Sequence, residues 1–301
     1  MASVIECIPN FSEGRDKAVI QALRDVAGAV PGAALLDCSS DESHNRSVLT
    51  LAGSPKGIAE AAFRLCAAAS EKIDMTKHSG EHPRMGATDV IPFVPLQGVS
   101  MRDCVELSKE VAARIWDELR IPSFLYEESA SSPARKNLAD VRKGQFEGMP
   151  QKLLLPEWAP DFGGRAAHPT AGVTAVGARF PLVAYNVNLD TPDVSVAKAI
   201  AKAIRGSSGG FRHCKAIGVM LEGRNVAQVS MNMVNFEGTP LYRAHEAIRA
   251  EARRWGVGII GSEIVGLAPA KALTDCAAYY LQLEDFSYGR QVLEARLLEM
   301  E

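Results

Sequence analysis

The chain has 301 residues, 47% hydrophobic and 23% charged, a globular composition with enough chain for two domains. Its 33 basic and 36 acidic residues leave a net charge of -3, so no global positive field points to nucleic acid or an anionic membrane. No apolar run approaches the roughly 18 residues of a spanning helix, the N-terminus lacks a signal-peptide pattern, and six scattered cysteines form no C-x-x-C pair, so a cytoplasmic protein with reduced thiols is expected.

Periodicity predicts a strand over residues 4–8, a helix over 15–30 ended by Pro31-Gly32, and a buried strand over 33–37. A short alternating strand follows over 47–51. Ile58, Ala61, Ala62, Leu65, Cys66, Ala69 and Ile73 then recur at helical spacing, and 90–94 returns to a strand. That order is β-α-β-β-α-β, the split βαβ arrangement of ferredoxin-like folds. Leu107, Val111, Ile115 and Leu119 predict one more helix. Residues 129–164, rich in Pro, Gly, Arg and Glu, read as an irregular connection between halves.

The same order recurs downstream. A strand over 180–187 leads to a helix over 194–204, strands over 216–221 and 226–231 follow, and Thr239-Pro240 opens another helix. Leu241, Ala244, His245, Ile248, Ala252 and Trp255 share one face of that helix, and 257–260 closes the set as a strand. The expected class is α+β: two ferredoxin-like (βαββαβ) subdomains, a duplicated architecture with a substrate cleft between them, divided into residues 1–178 and 179–301.

The densest chemistry lies in His78-Ser79-Gly80-Glu81-His82-Pro83-Arg84-Met85-Gly86. His78-x-x-Glu81-His82 matches the H-x-x-E-H signature of zinc peptidases. A metal there needs both imidazoles on one helical turn. Gly80 costs a helix interior about 1 kcal/mol relative to Ala, and Pro83 pushes His82 out of the helical region. No metal is therefore expected. What remains is a loop with an imidazole that Glu81 or Asp89 could orient, and an arginine, Arg84, whose fork suits a carboxylate. The plainer reading is that both histidines are loop residues satisfied by their neighbours.

Other segments carry weaker signals. Residues 6–15 pass from strand to helix start, where Asn10 or Ser12 could cap the helix and exposed amides would favour an anion. His44-Asn45-Arg46 adds a cation beside a strand. Trp158 and Phe162 lead into Gly163-Gly164-Arg165-Ala166-Ala167-His168-Pro169-Thr170-Ala171-Gly172, a loop that lets a heteroaromatic ring approach the backbone closely. It matches neither a dinucleotide nor a Walker motif. Asn186 and Asn188 alternate on one strand, and Gln228, Ser230 and Asn232 on another, which predicts a polar-lined face in the second half.

Together, Glu6-Cys7-Ile8-Pro9-Asn10-Phe11-Ser12-Glu13-Gly14, His44-Asn45-Arg46, the stretch from Lys77 to Gly86, Glu157-Trp158-Ala159-Pro160-Asp161-Phe162-Gly163, Ala227-Gln228-Val229-Ser230-Met231-Asn232 and Val265-Gly266-Leu267 resemble the glutamate formiminotransferase family. The resemblance runs from about residue 3 to the end. It implies transfer of the formimino group from N-formimino-L-glutamate to N5 of tetrahydrofolate, the co-substrate, in histidine degradation. It also implies paired ferredoxin-like subdomains and a homodimer whose partners are small molecules, with no nucleic acid and no membrane.

The family's catalytic histidine falls on His82 in the first subdomain, and its folate-binding stretch on residues 163–172. Asn10, Asp37, Arg46 and Arg84 are further candidates for substrate contacts. Arginine forks, Arg165 among them, suit the glutamyl carboxylates, and Asp37 or Glu81 could stand beside the formimino group. Some animal relatives fuse this domain to a cyclodeaminase; because the sequence stops at Glu301, the stand-alone form is expected. An imidazole of ordinary pKa near 6.5 could take the proton from N5 and return it to the departing glutamate amine. Formyl exchange between 5-formyltetrahydrofolate and glutamate is the nearest alternative. Zinc hydrolysis and non-catalytic folate binding are more distant ones.

Overall fold

The computed structural model describes residues 3–298 and divides into two units, Met1–Arg179 and Phe180–Glu301. In the first unit a proline, which has no N–H for a ladder, interrupts the opening strand. Ile8-Pro9 separates β1 (Val4–Cys7) from β2 (Asn10–Phe11), and both halves lie antiparallel between β4 (Arg46–Gly53) and β5 (Thr88–Gln97). Between them in sequence come α1 (Lys17–Gly28), β3 (Ala33–Asp41) and α2 (Pro55–Lys72). Asp16 caps α1 through the amides of Ala18 and Val19, so neither Asn10 nor Ser12 has that role. Ser12 instead donates to the carbonyl of Gly86 at 2.7 Å.

The first sheet runs β3-β4-(β1, β2)-β5 and is then extended by parallel strands, β7 (Thr174–Ala178) beside β5 and β6 (Ser123–Glu127) at the edge. One face buries Phe11, Leu49, Leu51, Ile91 and Phe93 among α1, α2 and α3 (Met101–Arg114). Each such side chain contributes roughly 1.5–3 kcal/mol on leaving water. The opposite face of the β5-β7-β6 end carries Val90, Ala175, Phe124 and Tyr126. It packs on Val141 of α4 (Leu138–Arg142) and Met149 of α5 (Gln145–Lys152).

Two expectations are corrected here. Residues 129–164 do not link the halves; they lie within the first unit and supply α4, α5 and a buried ion pair, Arg135 to Asp161 at 2.6 Å. The strand over 33–37 is not buried: β3 pairs only with β4, and Leu36 is 53% exposed.

The second unit comprises β8 (Val183–Leu189), α6 (Val194–Ile204), β9 (Cys214–Leu221), β10 (Val226–Met233), α7 (Leu241–Arg254), β11 (Ile259–Val265) and α8 (Ala270–Leu281). Its sheet is wholly antiparallel in the order β11-β8-β10-β9. Val196, Ile200 and Ile204 of α6 and Leu241, Ala244 and Ile248 of α7 fill one face. Trp255 lies past the end of α7 and is exposed rather than on its inner face.

On the other face of that sheet the register sets Asn188 opposite Gln228, and Asn186 opposite both Ser230 and Glu263. Gln228 donates to Asn188 and Glu263, and Asn186 also donates to Glu263. Both units are α+β. Among the described residues, no helix is long and apolar enough to cross a membrane.

Candidate active site

Strand register assembles one side of the first unit. Arg46, Val48 and Thr50 alternate on β4, and their cross-strand partners on β3 are Asp41, Ser39 and Asp37. Asn10 on β2 lies opposite Val48, two residues along from Arg46. Three candidates separated in sequence, Asn10, Asp37 and Arg46, therefore share one sheet face. Ser47, Leu49 and Phe11 turn to the opposite, buried face. Asn10 donates its side-chain amide to the carbonyl of Ile8 at 2.8 Å.

The segment carrying His78 and His82 is not helical. It interlocks with the turn before β4 through backbone and side-chain bonds. Glu81 N–H donates to the carbonyl of Ser43 at 3.2 Å, and Asn45 donates to the carbonyl of Ser79 at 3.0 Å. Gly80 fits against that turn so closely that an added Cβ would lie 2.4 Å from the carbonyl oxygen of His44. His78 is tied on both ring nitrogens. Arg84 Nε donates to Nδ1 at 3.0 Å, which leaves Nε2–H for the carbonyl of Asn45 at 3.0 Å.

Arg84 was a candidate for gripping a substrate carboxylate. It is instead buried and committed internally: its remaining N–H groups go to Glu147 at 2.6 and 2.9 Å, Gln145 at 3.0 Å and the carbonyl of His78 at 3.3 Å. All five donors of the guanidinium are used.

His82 is different. It is half-buried, and the group against its ring is a cation: Arg46 Nη1 lies 3.1 Å from Nε2 and 3.4 Å from Nδ1. A guanidinium nitrogen this close to both ring nitrogens lies against the face of the imidazole rather than along either nitrogen's lone pair. Neither Glu81, which is exposed, nor Asp89 orients the ring. Asp89 is 1% exposed, accepts from the Met85 amide and pairs with Arg142 at the end of α4. Burial, then Arg46, Arg142 and His44 in that order, holds the His82 pKa down at about 3. The ordinary value near 6.5 expected from composition alone does not hold in this environment.

The stretch 163–172 lies against the far end of the same loop. Val173 and Ala87 amides bond the carbonyls of Met85 and Ala171, and the Met75 amide bonds the carbonyl of Thr170. Gly172, at φ +70, lies so close to Met85 that a Cβ would meet its carbonyl at 2.3 Å. His168 accepts the amides of Ala171 and Thr170 on Nδ1, and burial lowers its pKa. Gly163, Gly164, Arg165 and Ala166 form an exposed arc over Trp116 and Pro122. Arg165 donates to the carbonyl of Leu154 at 3.3 Å. Ala167, Pro169 and Ala171 shape the turn without presenting a polar side chain.

Among the described residues, no group of three or more His, Cys, Asp or Glu side chains is placed to hold a metal ion. The residue that motif reasoning missed is Arg142. It sits in a segment read as a linker, and its acidic partner is 53 residues away in sequence.

Comparison with known proteins follows the same division of the chain. Residues 4–179 match the formiminotransferase domain, N-terminal subdomain, and residues 184–296 match the formiminotransferase domain. A glutamate formimidoyltransferase of Streptococcus pyogenes serotype M1 is 66% identical over 298 residues, 99% of this chain and 100% of that protein. One from Thermoplasma acidophilum is 46% identical over 98% of this chain and 97% of its own. The formimidoyltransferase-cyclodeaminase of Mus musculus is 43% identical over 94% of this chain and 53% of that longer protein. With both halves matched and full-length relatives this similar, the chain belongs to the formiminotransferase family.

Proposed function

We propose that the protein is a glutamate formimidoyltransferase that moves the formimino group from N-formimino-L-glutamate to N5 of tetrahydrofolate, with His82 carrying the proton. The names of the full-length relatives support the reaction. The observation that carries the assignment to this site is a half-buried neutral imidazole, His82, against the guanidinium of Arg46 on the sheet face shared with Asn10 and Asp37. That pairing sets a proton acceptor beside a cation suited to a glutamyl carboxylate.

Tetrahydrofolate supplies the N5 amine that bonds to the formimino carbon. His82 takes the proton released from N5 and returns it to the glutamate nitrogen as the carbon–nitrogen bond to that nitrogen breaks. Arg46 holds a carboxylate of the donor, and the exposed arc at Gly163–Ala166 offers backbone to the folate. Holding the two substrates in line contributes more than the proton transfer itself, which is typically worth about 10²- to 10⁴-fold. We also read both units as ferredoxin-like βαββαβ folds, the first extended by β7 and β6. The first unit carries the catalytic histidine, and the protein works as a cytoplasmic homodimer.

His82→Ala tests the role directly. Turnover falls by about 10²-fold or more while tetrahydrofolate affinity stays within a few-fold. Full turnover in that variant refutes the assignment of His82.

A further inference from the structure

The geometry points to Arg46 and Arg142 as a two-arginine clamp for the donor's glutamyl carboxylate, one that frees His82 only when the carboxylate is in place. This rests on the function proposed above and names its specificity device. Two guanidinium groups stand near His82, but the buried carboxylate between the strands, Asp89, is already held by Arg142 and the Met85 amide. Among the described residues, Arg46 makes no ion pair within 4.0 Å; its contacts are the nitrogens of His82. Asp41 and Asp89 act on it only at longer range. One positive charge in a largely buried corner is left without a counterion.

Arg142 Nε is buried and makes no hydrogen bond. A buried donor without a partner is destabilising unless an acceptor binds there. A carboxylate has two oxygens and matches what Arg46 and Arg142 jointly lack. The other arginines are spoken for: Arg84 by Glu147 and His78, and Arg165 by its place on the exposed arc.

A carboxylate would also compete with His82 for Arg46. A guanidinium lying on a neutral imidazole ring makes a weaker contact than one bonded to a carboxylate. An arriving carboxylate therefore draws Arg46 off the face of the His82 ring. It also offsets the charges that, after burial, hold the imidazole's proton affinity down: Arg46 on β4, Arg142 on α4 and His44 on the turn before β4. His82 then becomes a usable base when a glutamyl carboxylate is bound. Formamidine, which has the reacting carbon without the carboxylates, is predicted to turn over slowly even at saturation.

NMR titration of His82 in the wild-type protein, with and without L-glutamate as the probe, tests this without relying on turnover. Without ligand the ring stays neutral to well below pH 5. With glutamate bound it titrates about one unit higher or more. Arg46→Gln raises the titration without ligand and abolishes the further shift, and Arg142→Gln weakens glutamate binding about ten-fold or more. An unchanged His82 titration in glutamate-saturated wild-type protein overturns the clamp, as does failure of glutamate to bind. The two readings separate cleanly. If the titration moves as stated and His82→Ala keeps full turnover, the catalytic role fails and the clamp stands. If His82→Ala is inactive and the titration does not move, the clamp alone fails.

Discussion

Arg84 and Arg46 lie 38 residues apart by number, and the fold gives them different surroundings. Arg84 is buried with all five N–H groups bonded to His78, Gln145 and Glu147, so it positions the loop. Arg84→Lys keeps the charge but loses the planar fork. It is expected to lower stability by about 1–3 kcal/mol in urea unfolding while KM for the formimino donor changes less than about three-fold. Arg46→Lys is expected to do the reverse, raising donor KM about ten-fold or more with little change in the unfolding midpoint. The sequence alone marks His82, Arg46 and Asn10, because each sits in a distinctive short motif. It does not separate Arg46 from Arg84, since both are arginines beside histidines; the difference is made by Glu147, which is 63 residues from Arg84 in sequence. Arg142 was illegible for the same reason, being defined by Asp89 rather than by any neighbour in the chain.

At the scale of elements, the site is two turns locked together. The turn before β4 and the segment 78–82 share backbone bonds, and Gly80 permits their close approach. Gly80→Ala pushes them apart, because its Cβ has no room against the His44 carbonyl. The expected result is a fall in kcat of about 10²-fold, since displacement of a catalytic group by about 1 Å can cost that much. Thermal denaturation then shows whether the unit stays folded. A separate support is the Arg135–Asp161 pair, each side chain at most 9% exposed. Arg135→Met leaves the buried Asp161 carboxylate with the Leu125 amide but no cation, and is expected to cost about 3–5 kcal/mol.

The elements of both βαββαβ sets were legible from periodicity, because each helix has one apolar stripe and the strands alternate. β6 and β7 were not. They are five-residue parallel strands buried on both faces, so they show no alternation, and the proline- and glycine-rich stretch between them hides the packing of α4 and α5. Nor does periodicity reveal that β3 is an edge strand, since which strand has only one neighbour is decided by pairing.

For the whole molecule, histidine burial sets a pH dependence. His78, His82, His168 and His245 all have pKa values lowered chiefly by burial, His82 to about 3. Each therefore binds its proton more readily in the unfolded chain. The folded state is fully favoured above the unfolded value near 6.5 and loses stability as pH falls below it, for His82 down to about pH 3. Asp41 and Glu147, with lowered pKa values, add a further loss once pH falls below about 4. Urea midpoints measured from pH 8 to pH 4.5 are expected to be flat above about 7 and to fall below 6.5. A midpoint that rises on acidification contradicts these environments.

Formimino transfer through His82 can be followed in a single assay. N-formimino-L-glutamate and tetrahydrofolate are mixed with the purified protein, and the appearance of 5-formimino- or 5,10-methenyl-tetrahydrofolate is followed spectroscopically, beside His82→Ala and beside 5-formyltetrahydrofolate with glutamate. Rapid product is expected from the formimino donor with the wild-type protein, a rate lower by about 10²-fold or more with His82→Ala, and slower formyl exchange. No product from the wild-type protein, or equal rates with and without the imidazole, would contradict transfer through His82.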